Sequence, residues 1–68
     1  MSERTYKKVE LVGTSTESSD KAVENALAKA AESIRNIDWF EVQGTRGHVM
    51  EGKIAHWQVV LKVGFRLD

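Results

Sequence analysis

Residues 38–42 read Asp38-Trp39-Phe40-Glu41-Val42, where a helical pattern gives way to an extended one and two large aromatic residues stand side by side. Neighbouring side chains of a strand point to opposite faces of the sheet. If Phe40 and Val42 face the core, Trp39 and Glu41 face away from it. One of the chain's two tryptophans therefore lies where the core does not need it, and this ring is the main indication of function.

Upstream of this stretch, the sequence predicts a strand and the start of a helix. Residues 4–13 alternate between two faces, which is typical of a strand, and Gly13 is expected to end it. The next residues are rich in side-chain oxygens that can accept hydrogen bonds from the first free amides of a helix. Thr14 or Thr16 is the predicted capping residue, and the helix is expected to begin near Glu17.

The predicted helix has one apolar face. Its apolar residues recur at steps of three and four, which indicates a buried stripe rich in alanine. Small side chains let a packing partner approach closely, so we interpret the stripe as core. Asn36 is the predicted end of the helix. The stripe consists of Val23, Ala26, Leu27, Ala30, Ala31 and Ile34.

Downstream, the pattern predicts two strands joined by a hairpin. The second strand of the chain is predicted from about Ile37 to Met50, and Glu51-Gly52 forms a tight turn after it. The third strand, from Ala55 onward, has the clearest alternation of apolar and polar residues. Because the helix returns the chain, an all-antiparallel sheet needs the third strand at its centre. The predicted class is α+β: a β-α-β-β chain whose three-stranded antiparallel sheet wraps around one helix, in a single domain over residues 1–68.

Length and charge narrow the classes of function. A chain of 68 residues is marginal as a monomer and needs a supplement to its core. Without cysteine, disulfides and thiolate metal sites are excluded, so a homo-oligomer is expected. Ten basic residues balance ten acidic ones, which argues against a nucleic-acid partner. Since neither a signal peptide nor a membrane span is recognisable, no membrane partner is predicted, and we expect a soluble cytoplasmic protein.

A two-residue turn at Glu51-Gly52 predicts which residues face each other across the hairpin. On the outer face it places Trp39 opposite Gly64, which leaves open space beside the indole, and Thr45 opposite Gln58. Trp39 either fills a subunit interface, which the pattern alone favours, or stacks on a flat ligand. Gln58 is either a solvated strand residue or a partner for the edge of a uracil-like ring, since it donates and accepts.

Trp39 and Gln58 lie far apart along the predicted hairpin. Six residues of strand separate their positions, which corresponds to roughly 20 Å at about 3.3 Å per residue. No single aromatic ligand spans that distance. If both residues contact one ring, they come from different subunits, unless the sheet bends sharply. Ligand binding and assembly are therefore linked in this interpretation.

The remaining polar candidates give weaker signals. The strict register points His48 and His56 to opposite faces, so a shared metal is not expected. Arg46, between Gly44 and Gly47, is suited to a phosphate, but the strict register points it toward the core. We expect a bulge at either glycine to re-aim it, unless the glycines only bend the strand. Neither a nucleophile with its base nor a carboxylate pair is recognisable, so catalysis is not predicted.

Four stretches of the chain form a specific combination: Val9-Glu10-Leu11-Val12-Gly13-Thr14-Ser15, Asp38-Trp39-Phe40-Glu41-Val42, Arg46-Gly47, and Gln58-Val59 followed by Lys62-Val63-Gly64-Phe65-Arg66-Leu67. In this order, over nearly the whole chain, they closely resemble the dodecins, which are small flavin-binding proteins. The resemblance implies a strand-helix-strand-strand fold and a hollow shell of twelve copies. A homododecamer is therefore expected.

The resemblance also implies the roles of three residues. In dodecins the tryptophan of the Asp-Trp-Phe-Glu motif stacks on the isoalloxazine ring, and two flavins are sandwiched between symmetry-related tryptophans, which implies this role for Trp39. The glutamine binds the pyrimidine edge of the flavin, which corresponds to Gln58. The arginine of the Arg-Gly pair, here Arg46, is the expected partner of the ribityl phosphate. The residue before the glutamine is commonly tyrosine or phenylalanine, and Trp57 departs from that pattern.

The function that the resemblance implies is non-enzymatic. A flavin store would bind FMN between subunits, buffer the free pool and quench flavin photochemistry by electron transfer from the stacked tryptophan. Bacterial dodecins prefer FMN; riboflavin, FAD and coenzyme A are further candidate ligands. Two alternatives stay open: a flavin-dependent oxidoreductase, which needs room for a substrate on one flavin face, and a structural shell with an adventitious ligand.

Overall fold

The computed structural model describes residues 3–67. The ends of the predicted domain, Met1, Ser2 and Asp68, lie outside the described residues. In chain order the elements are β1 (Thr5–Ser15), α1 (Ser19–Ala30), β2 (Ile37–Met50) and β3 (Lys53–Leu67). The strand order is β1-β3-β2, and both pairs are antiparallel. The α+β class and the central third strand are therefore confirmed.

The first strand continues to Ser15, two residues beyond its predicted end. Gly13 does not terminate β1 but lies where α1 packs directly against the backbone of the strand. A Cβ atom at residue 13 would overlap the carbonyl oxygen of Ala22 and lie 2.9 Å from the Cβ of Ala26. Glycine is needed here because only a residue without a side chain admits the helix at this distance.

The helix begins at Ser19 rather than near Glu17. Its N-cap is Ser18, whose Oγ accepts a hydrogen bond from the backbone N–H of Lys21 at 3.0 Å. The prediction of Thr14 or Thr16 as the cap is wrong. Several hydroxyl side chains of this segment have the right chemistry, and the packing of α1 on the sheet decides which of them stands at its first turn.

The helix ends at Ala30, with Ala31 as its C-cap, rather than at Asn36. One further turn follows the helix, in which the carbonyl of Ala30 accepts from the backbone N–H of Ser33 at 3.1 Å and from that of Ile34 at 2.9 Å. Asn36 instead adopts a left-handed conformation with φ 65°. Its carbonyl accepts from the N–H of Arg66 at 3.0 Å and ties the connection to β3.

The core lies between α1 and the two strands that it covers, β1 and β3. α1 contributes the alanine stripe, as predicted, but the stripe includes Ala22, which the prediction missed. Ala31 and Ile34 lie beyond the end of the helix. The buried residues of the core are Ala22, Ala26, Ala30, Val59, Leu61 and Val63.

The inner side of β2 is left largely uncovered. Phe40 and Val42 lie opposite Val63 and Leu61 on the core face, as predicted, yet they are 46% and 48% exposed. They line one wall of an open groove whose other wall is α1. The single chain therefore leaves part of its core face in contact with solvent.

At one end, the sheet narrows to two strands. β1 ends where Ser15 pairs with Trp57, so residues 48–56, which we call the ribbon, continue without a third strand. The turn at its tip is the predicted one, with Glu51 at φ 52° and Gly52 at φ 77°. The ribbon contributes to an elongated molecule of 54 × 20 × 15 Å. Within residues 3–67, the helical structure falls short of the length and apolarity that a membrane span requires.

Candidate functional site

The candidate site lies on the outer face, which is the side of the sheet away from α1. Because β1 and β2 both pair with β3, the outer face is built of rows with one residue from each strand. In one of the four rows given next, an aromatic residue of β2 lies over a glycine of β3. The rows, in the order β1, β3, β2, are Lys8–Gly64–Trp39, Glu10–Lys62–Glu41, Val12–Val60–Gly44 and Thr14–Gln58–Arg46.

Trp39 lies over Gly64, as the sequence predicted. A Cβ at residue 64 would overlap the indole atoms Cε2 and Cζ2, so the ring occupies the space of the missing side chain. Tyr6 flanks the indole, with ring centroids 6.1 Å apart and planes inclined by 50°. The tryptophan remains 38% exposed. Its indole is thus supported by the sheet while a substantial part of it stays accessible.

A small polar cluster holds the chain immediately before this tryptophan. Asp38 is an extra residue in β2, because Ile37 pairs with Phe65 and Trp39 pairs with Gly64. Its Oδ2 accepts a hydrogen bond from the Tyr6 hydroxyl at 3.0 Å and lies 3.9 Å from Nη1 of Arg66. The bulge and its two contacts join β1, β2 and β3 at the position of the indole.

Charge is balanced in the row next to Trp39. Lys62 of β3 lies between Glu10 and Glu41, and Lys8 forms an ion pair with Glu41 at 3.2 Å. The side chains of Lys8 and Glu41 are about half exposed, so the pair contributes little to the free energy of folding. The row separates the indole from the polar residues farther along the sheet.

Gln58 lies opposite Arg46 and not, as predicted, opposite Thr45. The reason is an irregularity near the turn: Val49 pairs with Ile54 but His48 pairs with His56, so Ala55 is an extra residue in β3. Arg46 is thereby placed on the outer face, where its Nη1 donates to Oε1 of Gln58 at 3.5 Å. This distance is at the long limit of a hydrogen bond.

A second irregularity restores the predicted register farther along β2. Gln43 is an extra residue between Val42, which pairs with Leu61, and Gly44, which pairs with Val60. The expected re-aiming of Arg46 is therefore confirmed, with the extra residue immediately before Gly44 rather than at a glycine. Because the extra residues lie on opposite strands, their shifts cancel, and Trp39 still meets Gly64.

The same irregularity corrects the prediction for the two histidines. His48 and His56 were expected on opposite faces, but they pair directly across the strands. Their ring centroids lie 4.4 Å apart and the planes are inclined by 20°, so the imidazoles stack. Within residues 3–67, no group of three or more His, Asp or Glu side chains could hold a metal ion.

Of the three predicted site residues, the structure brings two together. Arg46 and Gln58 are in contact, whereas Trp39 lies over a β3 residue six positions from Gln58. At about 3.3 Å per residue that separation is roughly 20 Å along the strand. Within one chain, the aromatic and the polar parts of the candidate site are therefore separate.

The family model described as Dodecin matches residues 5–68. The chain belongs to the dodecin family. The dodecin of Thermus thermophilus is 52% identical over 65 residues, which is 96% of this chain and 94% of that protein. The resemblance recognised from the sequence is thus confirmed.

Solved dodecin structures share the fold over nearly the whole chain. The dodecin of Streptomyces coelicolor superposes with a TM-score of 0.94 at 51% identity and covers 100% of this chain and 97% of its own. The dodecin of Streptomyces davaonensis also gives a TM-score of 0.94 at 51% identity, with 98% of both chains covered. The β-α-β-β architecture described above is therefore that of the family.

Sequence reasoning missed two residues that support the indole in this dodecin fold. Tyr6 lies within the alternating pattern of residues 4–13 and Asp38 within the motif around Trp39, and neither was predicted to support the indole. The Tyr6 hydroxyl donates a hydrogen bond to Asp38, and the Tyr6 ring lies beside the tryptophan. The available signal was positional: Tyr6 pairs with Arg66, two residues along β3 from Gly64, so it borders the row that contains Trp39.

Proposed function

We propose that this chain is a non-enzymatic flavin store of the cytoplasm, which binds FMN between subunits of a homododecamer and quenches its photochemistry. One observation carries the proposal: in a member of the dodecin family, a family of flavin-binding proteins, Trp39 lies over the bare backbone of Gly64 and remains 38% exposed. Riboflavin, FAD and coenzyme A are further ligand candidates.

The support beneath Trp39 suits it to stacking on a flat ring. Gly64 lies under the indole and Tyr6 flanks it, so few rearrangements are needed when a ligand arrives. Binding is stronger when the binding groups are ordered beforehand, because less freedom is lost on association. An isoalloxazine ring offers the large flat surface that an offset stack with an indole requires.

The polar pair Arg46 and Gln58 suits the hydrophilic parts of a flavin. The Gln58 amide can both donate to and accept from the pyrimidine edge of the ring. Its present partner, Arg46, donates to it at 3.5 Å, the long limit of a hydrogen bond, so a ligand can replace that contact at small cost. The Arg46 guanidinium offers further N–H donors for the phosphate of FMN.

Assembly from several copies explains how both parts of the site act on one flavin. Trp39 and Gln58 are too far apart along β3 to contact the same ring from one chain, so the proposal draws them from different subunits. The half-exposed Phe40 and Val42 supply apolar surface for such contacts. Burial of apolar area is the main favourable term in association.

The arrangement favours storage over catalysis. If the flavin lies between tryptophans of symmetry-related subunits, as the family resemblance implies, both ring faces are covered and little room remains for a substrate. Electron transfer from Trp39 to the excited flavin, followed by rapid return, then dissipates the absorbed energy before other reactions occur.

The deciding experiment is a titration of the purified, flavin-free protein with FMN while flavin and tryptophan emission are recorded together. For the parent we expect strong quenching that saturates at a fixed ratio of flavin to subunit. Trp39→Ala should abolish it, while Trp57→Phe, which changes the other tryptophan on the opposite sheet face to a residue common in dodecins, should retain it. Flavin emission that the parent leaves unchanged would refute the proposal.

A further inference from the structure

The two histidines of the sequence lie side by side at the base of the ribbon, and the proposed flavin site uses neither. They face each other directly across the β2–β3 pair, with ring centroids 4.4 Å apart. We infer that His48 and His56 form a chelating site for one divalent transition-metal ion of the kind that prefers imidazole, such as Zn²⁺, Ni²⁺ or Cu²⁺.

The spacing of the rings suits a shared ion. A zinc–nitrogen bond of about 2.0–2.1 Å places the metal roughly 3.2 Å from the centre of a ligating imidazole. With ring centres 4.4 Å apart, one ion can bind a nitrogen of each ring at a nitrogen–metal–nitrogen angle of roughly 90°. This angle fits tetragonal or octahedral coordination and is somewhat smaller than the tetrahedral angle.

The two rings need to tilt before they can share an ion. In the present stack the planes are inclined by only 20°, so chelation requires each ring to turn toward the ion. The second side-chain torsion of histidine is broad, so such a rotation costs little. His48 is exposed and His56 is only partly buried, which leaves space for the turn and for the ion.

The donor set selects the class of metal. Neutral imidazole nitrogens suit zinc, copper and nickel, whereas magnesium and calcium prefer carboxylate and carbonyl oxygens. The two rings supply two ligands, and water or the equivalent pair from a second copy completes the coordination. Since the pair connects β2 to β3 where the third strand has ended, a bound ion would also fasten the ribbon at its base.

The test is calorimetric titration of the flavin-free, EDTA-treated protein with ZnCl₂ in a buffer that does not bind metal. We expect one ion per chain, or one per two chains if two pairs share an ion, and no binding of MgCl₂. His48→Phe and His56→Phe each keep a flat ring and remove the nitrogen ligands. Each should lower the zinc affinity by on the order of 10²-fold, because the second imidazole binds intramolecularly.

Several results would overturn the inference: no zinc binding by the parent, magnesium binding equal to that of zinc, or a single phenylalanine variant that retains the parent affinity. Should a variant fail to fold, nitrogen-detected spectra of the parent decide the matter, since zinc must shift the ring signals of both histidines together. Shifts confined to one ring contradict chelation. The FMN titration is independent of this test, and quenching should remain unchanged in both histidine variants.

Discussion

The indole of Trp39 occupies the space that a side chain at Gly64 would fill. The two residues are paired across β2 and β3, so the tryptophan depends on the absence of an atom from its neighbour. Gly64, which has no side chain and therefore no functional group, thereby determines the position of the indole on which the proposed function rests.

Gly64→Ala should weaken FMN binding about tenfold or more, since displacement of the ring needs to cost only about 1.4 kcal/mol in the bound state for that effect. The added Cβ would overlap two atoms of the Trp39 indole, so this partly exposed ring must move. The measurement is the FMN titration. Gly44→Ala is the matched control, because a Cβ there meets nothing within 4 Å. Equal affinities of the two variants would contradict the proposed role of this contact.

Gly13→Ala should destabilise the fold itself. The new Cβ would overlap the carbonyl oxygen of Ala22 and crowd the Cβ of Ala26, so the helix must move away from the sheet. Overpacking of this kind costs typically about 1–3 kcal/mol. Urea denaturation measures the free energy of unfolding, with Gly44→Ala again as the reference. A Gly13→Ala variant as stable as the reference would show that α1 does not pack as described.

Arg46→Ala should separate FMN from riboflavin. If the guanidinium binds the phosphate, its loss removes a charge-assisted contact worth about 1.5–3 kcal/mol, which is roughly 10- to 150-fold in the dissociation constant of FMN. Riboflavin, which lacks the phosphate, should bind nearly as before. Arg35→Ala removes an exposed arginine from another part of the chain and serves as the control. Parallel weakening of both flavins would assign Arg46 to the ring or to assembly instead.

Ser18→Ala should remove the N-cap of α1. The Oγ of Ser18 accepts from the N–H of Lys21 at 3.0 Å, and the loss of such a cap costs about 0.5–2 kcal/mol. Thr16→Ala alters a nearby hydroxyl residue and should stay within about 0.5 kcal/mol of the parent. The free energy of unfolding in urea distinguishes the two. A larger effect at Thr16 than at Ser18 would place the start of the helix elsewhere.

The sequence predicted the hairpin well because its signals are local. The bounds Ile37–Met50 of β2 and the turn at Glu51-Gly52 are confirmed. Alternation marks a strand, and a glycine accepts the positive φ that a tight turn demands. The central place of β3 is also confirmed, because chain direction permits no other all-antiparallel order.

The register could be predicted only in part. Ala55 and Gln43 are the extra residues that shift it, and neither is a residue type that signals a bulge. The pairing of Trp39 with Gly64 agreed with the prediction because these shifts cancel. Gln58 and the two histidines lie between the shifts, so the strand partner of Gln58 and the relative faces of the histidines were predicted wrongly. The first residue of α1 could not be predicted from local chemistry either, because several neighbouring hydroxyl residues can serve as the N-cap. The packing of the helix against Gly13 determines that Ser18 takes this role.

The ribbon of residues 48–56, which extends beyond the end of β1, bears on the order of events in folding. A two-stranded hairpin is marginally stable in water without a third strand or a helix to pack on. Before assembly, the ribbon should therefore lack fixed structure, and in the proposed oligomer it acquires that structure when a second copy packs against it. The final step of folding is then bimolecular, and its rate rises with protein concentration.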